Sequence, residues 1–212
     1  MRGLIITATV TTPVVSGIAR PNLASLLAWA NAGVAGAPSV SDRIIVVDIP
    51  LAVLWRDADG KPLWAGTDIY PAGEPVRGRE YLHKRYPAHR ANLGRKMKIN
   101  TAAGQFKEQR RPVLTLSARH WVCACIATDV DQVAALLKDV RSIGPKGAAG
   151  YGAVHEWRIE EADISAEFVL RRRAVPVASG LSDGEVAPNR AWVPPYWHSP
   201  WWDDCHEGQS CF

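Results

Sequence analysis

Along the first dozen residues, MRGLIITATVTT, side chains alternate. Leu4, Ile6, Ala8 and Val10 fall on one side, and Ile5, Thr7, Thr9 and Thr11 on the other. A two-residue period is that of a half-buried strand, expected here over about residues 3–12. The period then lengthens. In ARPNLASLLAWANAGV, Leu23, Leu26, Leu27, Ala30 and Val34 recur at helical spacing, and Pro21 suits the first turn of a helix. RIIVVDIPLAVLW (43–55) is a β-branched run broken by Pro50, and DADG (57–60) turns it into KPLWAGT, which reads as a hairpin. PVLTLSA (112–118) and HWVCACIAT (120–128) return to strand character.

The clearest helix is TDVDQVAALLKDVRSIG. Thr128 or Asp129 can cap it, and Val130, Val133, Leu137 and Val140 form one face. Lys138 and Arg141 fall in its last turn, where cations suit the helix dipole, and Gly144 is a natural stop. AVHEWRIE reads as another strand and EFVLRRRAV as one more. The order strand, helix, strands, helix, strand is that of an α+β, ferredoxin-like (RRM-like) domain over residues 1–185. Within it, residues 77–111 form an insertion with little apolar periodicity. Residues 186–212 hold four of the nine tryptophans and four prolines. This aromatic, Pro-rich C-terminal tail is expected to pack as an extended strap, its indoles covering apolar surface.

Composition adds limits. A chain of 212 residues, 47% hydrophobic and 22% charged, is ordinarily globular. No apolar run approaches the roughly 18 residues of a membrane span, and the opening lacks the pattern of a secretory signal. Four cysteines, two of them in VCACI, give no disulfide framework, so the cytoplasm is the default compartment. His198, Cys205, His206 and Cys211 match no standard zinc spacing, and neither a metal nor a cofactor is expected.

Charge is unevenly spread. Residues 77–111 hold eleven Lys/Arg against two Glu, a net +9 that leaves −5 for the rest of a chain totalling +4. A basic stripe in an otherwise mildly acidic protein is the footprint of a polyanion partner. Tyr81, His83, Tyr86 and His89 interleave with Lys84, Arg85 and Arg90, so rings can stack on unpaired bases while cations follow phosphates.

SIGPKGAAGYGAV (142–154) is the second conspicuous stretch. It is not a P-loop: Lys146 lies between Gly144 and Gly147, and Ala148 follows where a hydroxyl would hold magnesium. Nor do its glycines fit a dinucleotide fingerprint, and both motifs run from strand to helix, whereas this loop runs from helix to strand. GYGAVHEW partly echoes the stacking strand of an RNA-recognition motif, but Ala153 and Glu156 occupy two of its aromatic positions, and the strand is not central. What remains is a backbone that lets amides approach an anion closely, with a lysine beside it.

The helix ending in this loop, followed by GYGAV, resembles the G-loop of the RAMP superfamily of CRISPR-associated proteins. VTTPVV…RPNLASLLAWA and RAWVPPYWHSPWW are similar to the opening and tail of one branch, the 5′-handle-binding RAMP subunit of type IV effector complexes. The resemblance implies a non-catalytic subunit that grips the 5′ handle of a CRISPR guide RNA. It also implies contacts with the backbone and large subunits of the complex, in defence against foreign DNA such as plasmids. On that pattern Gly144, Lys146, Gly147, Gly150, Tyr151 and Gly152 form the loop. Arg77, Arg79, Tyr81, His83, Lys84, Arg85, Arg90, Arg95, Lys96, Lys98, Arg110 and Arg111 belong to a thumb or finger over the RNA. Two other readings are weighed beside it. One is a metal-independent endoribonuclease with His83 or His89 as general base, Lys84 stabilising the phosphorane and Tyr81 or Tyr86 assisting. The other is an adaptor whose basic segment engages acidic protein surfaces.

Overall fold

The computed structural model describes residues 1–16, 20–34, 48–84, 109–192 and 202–208. The chain runs through β1 (Arg2–Val10), β2 (Val14–Val15), α1 (Leu23–Val34), β3 (Val53–Arg56), β4 (Pro62–Trp64) and β5 (Tyr70–Pro71). It continues through β6 (Val76–Lys84), β7 (Gln109–Ser117), β8 (His120–Ala127), α2 (Val130–Asp139) and β9 (Val154–Glu161). It ends with α3 (Ala166–Leu170), β10 (Val175–Pro176), β11 (Val186–Ala191) and β12 (Trp202–His206). The class is α+β, with strands predominating. Among the described residues no helix is long and apolar enough to cross a membrane.

A four-stranded sheet in the order β5-β8-β1-β9 is the frame, with β8 and β9 both antiparallel to β1. The alternation of β1 does what its sequence implies. Leu4, Ile6, Ala8 and Val10 are buried, and the register sets Leu4, Ile6 and Ala8 opposite Cys125, Cys123 and Trp121 of β8. Leu23 and Leu27 of α1 and Val133, Leu136 and Leu137 of α2 complete that cluster. Each such aliphatic side chain contributes about 1.5–3 kcal/mol through removal from water. Burial pushes the Cys125 thiol up to about 12 and Cys123 upward as well, so both are inert protonated groups.

The helix termini differ in detail from the sequence expectation. Asn22, not Pro21, opens α1, its Oδ1 accepting from the Ala24 amide at 2.9 Å. Asp129 caps α2 by accepting from Gln132. That helix stops at Asp139, with Val140 already extended, so Gly144 belongs to the following loop. The expected hairpin across DADG is β3 and β4, closed by Asp57 and Lys61, while residues 43–47 of the run before it lie outside the described residues.

Three expectations are corrected. EFVLRRRAV contains no strand over its first half: Ser165 accepts from the Phe168 amide and starts α3, a cap that outweighs a short apolar run. The tail is not an unstructured strap where it is described, because β11 and β12 join β10 in a sheet of order β10-β12-β11. Pro188 is tolerated because the ladder shifts register between Ala187 and Arg190, where Asn189 turns to φ 54. Finally, residues 77–84 and 109–111 of the insertion are strand, and residues 85–108 lie outside the described residues.

A second, smaller core joins this tail to the body. Leu63, Val175, Trp192 and Cys205 are buried together, and the Trp55 and Trp192 rings lie 5.7 Å apart. At its margin Arg173, 1% exposed, donates to the carbonyls of Trp64, Gly66, Ala174 and Trp192. Asp68, half-buried, accepts from Asn22 Nδ2 at 2.8 Å, and desolvation raises its carboxyl to about 6 against that hydrogen bond and the pull of Arg173 and Arg20.

Candidate nucleic-acid interface

The basic insertion begins and ends as a two-stranded ribbon. β6 pairs antiparallel with β7 over nine residues, from Val76↔Ser117 to Lys84↔Gln109. β2 fastens the base through Val14↔Leu116 and Val15↔Thr115. The physical consequence is a sorting of side chains. Alternation puts Arg77, Arg79, Tyr81 and His83 on one face, and the register adds Leu116, Leu114, Pro112 and Arg110 opposite them. No carboxylate stands among these eight.

Tyr81 is the centre of that face. The Arg110 guanidinium lies 4.2 Å from its ring centroid and that of Arg79 lies 6.0 Å away, both within cation–π range. Arg77, Arg79, Tyr81, His83 and Arg110 are all exposed, as are Pro112 and Leu114, while Leu116 is half-buried and packs on the main core. Planar guanidinium forks match phosphate oxygens, and here two of them, from Arg79 and Arg110, flank an exposed ring, with Arg77 further along the same face. The structure therefore brings five of the expected residues together.

Others fall elsewhere. Arg111 alternates onto the opposite face, and Lys84 ends β6 with its side chain outside the described residues. Arg85, Tyr86, His89, Arg90, Arg95, Lys96 and Lys98 also lie outside them.

The glycine loop meets the ribbon from that opposite face. The Tyr151 hydroxyl donates to Glu80 Oε2 at 2.6 Å, and this hydrogen bond raises the phenol above its ordinary range. The loop is otherwise tied to the segment entering β2. Gly152 donates to Pro13 O, Thr11 to Ala153 O, and Ala153 to Thr12 Oγ1. Most of its glycines have packing reasons. A Cβ on Gly152 would sit 2.0 Å from Ile143 O, one on Gly147 2.1 Å from Ser142 Oγ, and one on Gly144 2.9 Å from Val14 Cγ1. Only at Gly150 (φ 88) is the space open.

The amides of residues 149–153 donate within the protein. Those of Lys146, Gly147 and Ala148, at the start of a single 3₁₀ turn, find no acceptor among the described residues. Lys146 itself is exposed, with a left-handed backbone of φ 72. Anion-binding capacity is thus confined to the first half of the loop.

Sequence reasoning passed over Pro112 and Leu114, which complete the ribbon face, and Glu80, which links ribbon to loop. The signal was present in RGREYLHK, where every odd position is basic or aromatic. Of the weighed zinc ligands, Cys205 is buried with its thiol pushed up to about 12 by desolvation, and His206 Nδ1 faces Gly184 O. His198 and Cys211 lie outside the described residues. Among the described residues no three His, Cys, Asp or Glu side chains converge on a metal position.

The model of the family "CRISPR type IV associated protein Csf3" matches residues 77–205, from the first ribbon strand to the last strand of the small sheet. No curated protein matches the chain. Among solved structures, a chain of "Cryo-EM structure of the Type III-B Cmr-beta bound to cognate target RNA" is similar at 13% identity and a TM-score of 0.41. That match covers 76% of this chain and 61% of the other, so this chain spans less than two thirds of its length.

Proposed function

The chain belongs to the family of CRISPR type IV associated Csf3 proteins, and from that premise we propose that it binds guide RNA within a type IV effector ribonucleoprotein. The observation that carries this reading is the ribbon face, where Arg79 and Arg110 flank Tyr81 and Arg77 and His83 share its side, with no carboxylate among them. A polyanion is drawn to such a face, and the −5 carried outside residues 77–111 steers it there.

The finer reading is a RAMP-type, ferredoxin-like subunit that grips the 5′ handle and touches the backbone and large subunits. The strand order β5-β8-β1-β9, with α1 and α2 packed on one side of the sheet, supports such a frame. Lys146 and the amides of residues 146–148 supply a second phosphate contact, and the subunit performs no chemistry.

Expression with the neighbouring genes of its locus tests this reading. The expected result is a complex in which this chain crosslinks to the 5′ end of a short RNA. Copurification with an acidic protein and no RNA would instead favour the adaptor. A cyclic-phosphate product made from labelled repeat RNA by the isolated chain in EDTA would favour the nuclease.

A further inference from the structure

The ribbon face is more than a cationic strip. Opposite Tyr81 stands Pro112, opposite Arg79 stands Leu114, and both are exposed, Leu114 by 61% and Tyr81 by 44%. Leu114 is out of water on neither side of an interface, and a lone exposed leucine would need no comment. Here, though, it joins a proline and a tyrosine on one side of a ribbon whose other exposed side chains there are Arg77, Arg79, His83 and Arg110. The result is an apolar pad rimmed by cations.

Such a pad discriminates among polyanions. An acidic protein surface satisfies guanidiniums with carboxylates but leaves the pad without a partner. A nucleic-acid duplex presents phosphates at the rim but keeps the faces of its bases inside the stack. Only an unpaired nucleotide offers both a phosphate and a free planar face. Resting on the RNA-binding reading above, we propose that Tyr81, Pro112 and Leu114 seat one unpaired nucleobase, with Arg79 and Arg110 holding the phosphates beside it. The ribbon thereby selects single-stranded over duplex RNA.

The test uses the full chain and fluorescence anisotropy with three probes. These are a short unstructured RNA, the same sugar–phosphate chain carrying abasic positions, and a duplex of equal length. Base–aromatic stacking predicts that the intact strand binds roughly 5- to 150-fold more tightly than the abasic one. Tyr81→Ala should erase that difference and Tyr81→Trp should keep it. Leu114→Lys sharpens the contrast, since a face reading phosphates alone would bind more tightly with an added cation, whereas the pad would bind the intact strand more weakly.

Equal affinity for intact and abasic strands, with steep salt dependence, would overturn the pad and leave the RNA-binding reading standing. A duplex bound as tightly as the single strand would also overturn it. No binding of any probe would remove the RNA-binding reading and the pad together.

Discussion

Replacing Arg173 by methionine should loosen the attachment of the C-terminal sheet to the body. The residue is 1% exposed, and its guanidinium serves four backbone carbonyls, three of them on two distant segments. It donates to Trp64 at the end of β4, to Gly66 at 3.3 Å, to Trp192 just after β11 at 2.6 Å, and to its neighbour Ala174 at 3.2 Å. Methionine fills much of the volume but takes the guanidinium donors from all four carbonyls, of which Trp64 O still accepts from the Gly66 amide, and it removes a cation that attracts Asp68. Removing one partner from such a buried charged arrangement costs about 3–5 kcal/mol. That is a large part of the roughly 5–15 kcal/mol that keeps a domain folded. With a urea slope near 2 kcal/mol per molar, the midpoint should fall by about 1.5–2.5 M. Hydrogen exchange should show the loss first in Val186–Ala191 and Trp202–His206, since these strands meet the body at Trp192 and Cys205. Arg173→Lys should fall between, because an ammonium reaches fewer of the four acceptors. A midpoint within about 0.5 M of wild type for Arg173→Met, with unchanged exchange in those strands, would refute the reasoning.

Other consequences can be checked separately. The triple variant Arg77→Gln, Arg79→Gln, Arg110→Gln should flatten the dependence of log affinity for single-stranded RNA on log salt by about 2, at roughly 0.7 per phosphate, and an unchanged slope would show that these residues do not meet phosphates. Gly150→Ala, with open space around its φ of 88, should cost about 1–2 kcal/mol in thermal unfolding. Gly152→Ala should cost about 1–3 kcal/mol more, since its Cβ breaks the Ile143–Gly152 hydrogen bond, and equal losses would contradict this account. Asp68 has a folded-state pKa of about 6 against an ordinary 3.8, so the folded state holds the proton more tightly and stability contributed by this group falls as pH rises from 4 to above 6, by about 3 kcal/mol. Urea unfolding at pH 5 and pH 7 should therefore show wild type gaining on acidification relative to Asp68→Asn, and a pH-independent difference would count against it.

Much of the frame was legible because it depends on period alone. The threonine alternation of β1, the helical spacing of Leu23, Leu26 and Leu27, and the Asp129 cap of α2 each report a local preference that tertiary packing then reinforces. The failures share a cause. EFVLRRRAV read as a strand, but Arg173 is buried because carbonyls from two distant segments, at Trp64 and Gly66 and at Trp192, converge on it, which no local window contains. Pro188 argued against a strand, yet β11 forms because a register shift with β12 absorbs the proline.

The candidate site divides in the same way. Charge and residue type are properties of the chain, so the sequence by itself determined that residues 77–111 are strongly basic and aromatic and that the glycines at 142–154 have neither P-loop nor dinucleotide-fingerprint spacing. Which cations act together is a matter of pairing. Only the register of β6 with β7 brings Arg110 over Tyr81 and sets Pro112 and Leu114 beside it, and only alternation sends Arg111 and Glu80 to the other face. The loop's glycines looked like one phosphate cradle, but those at 144, 147 and 152 answer to Val14, Ser142 and Ile143, whose approach follows from how the loop packs. A ladder joins residues about thirty positions apart in the chain, and it was this pairing, which no local sequence signal specifies, that turned a basic stretch into a face.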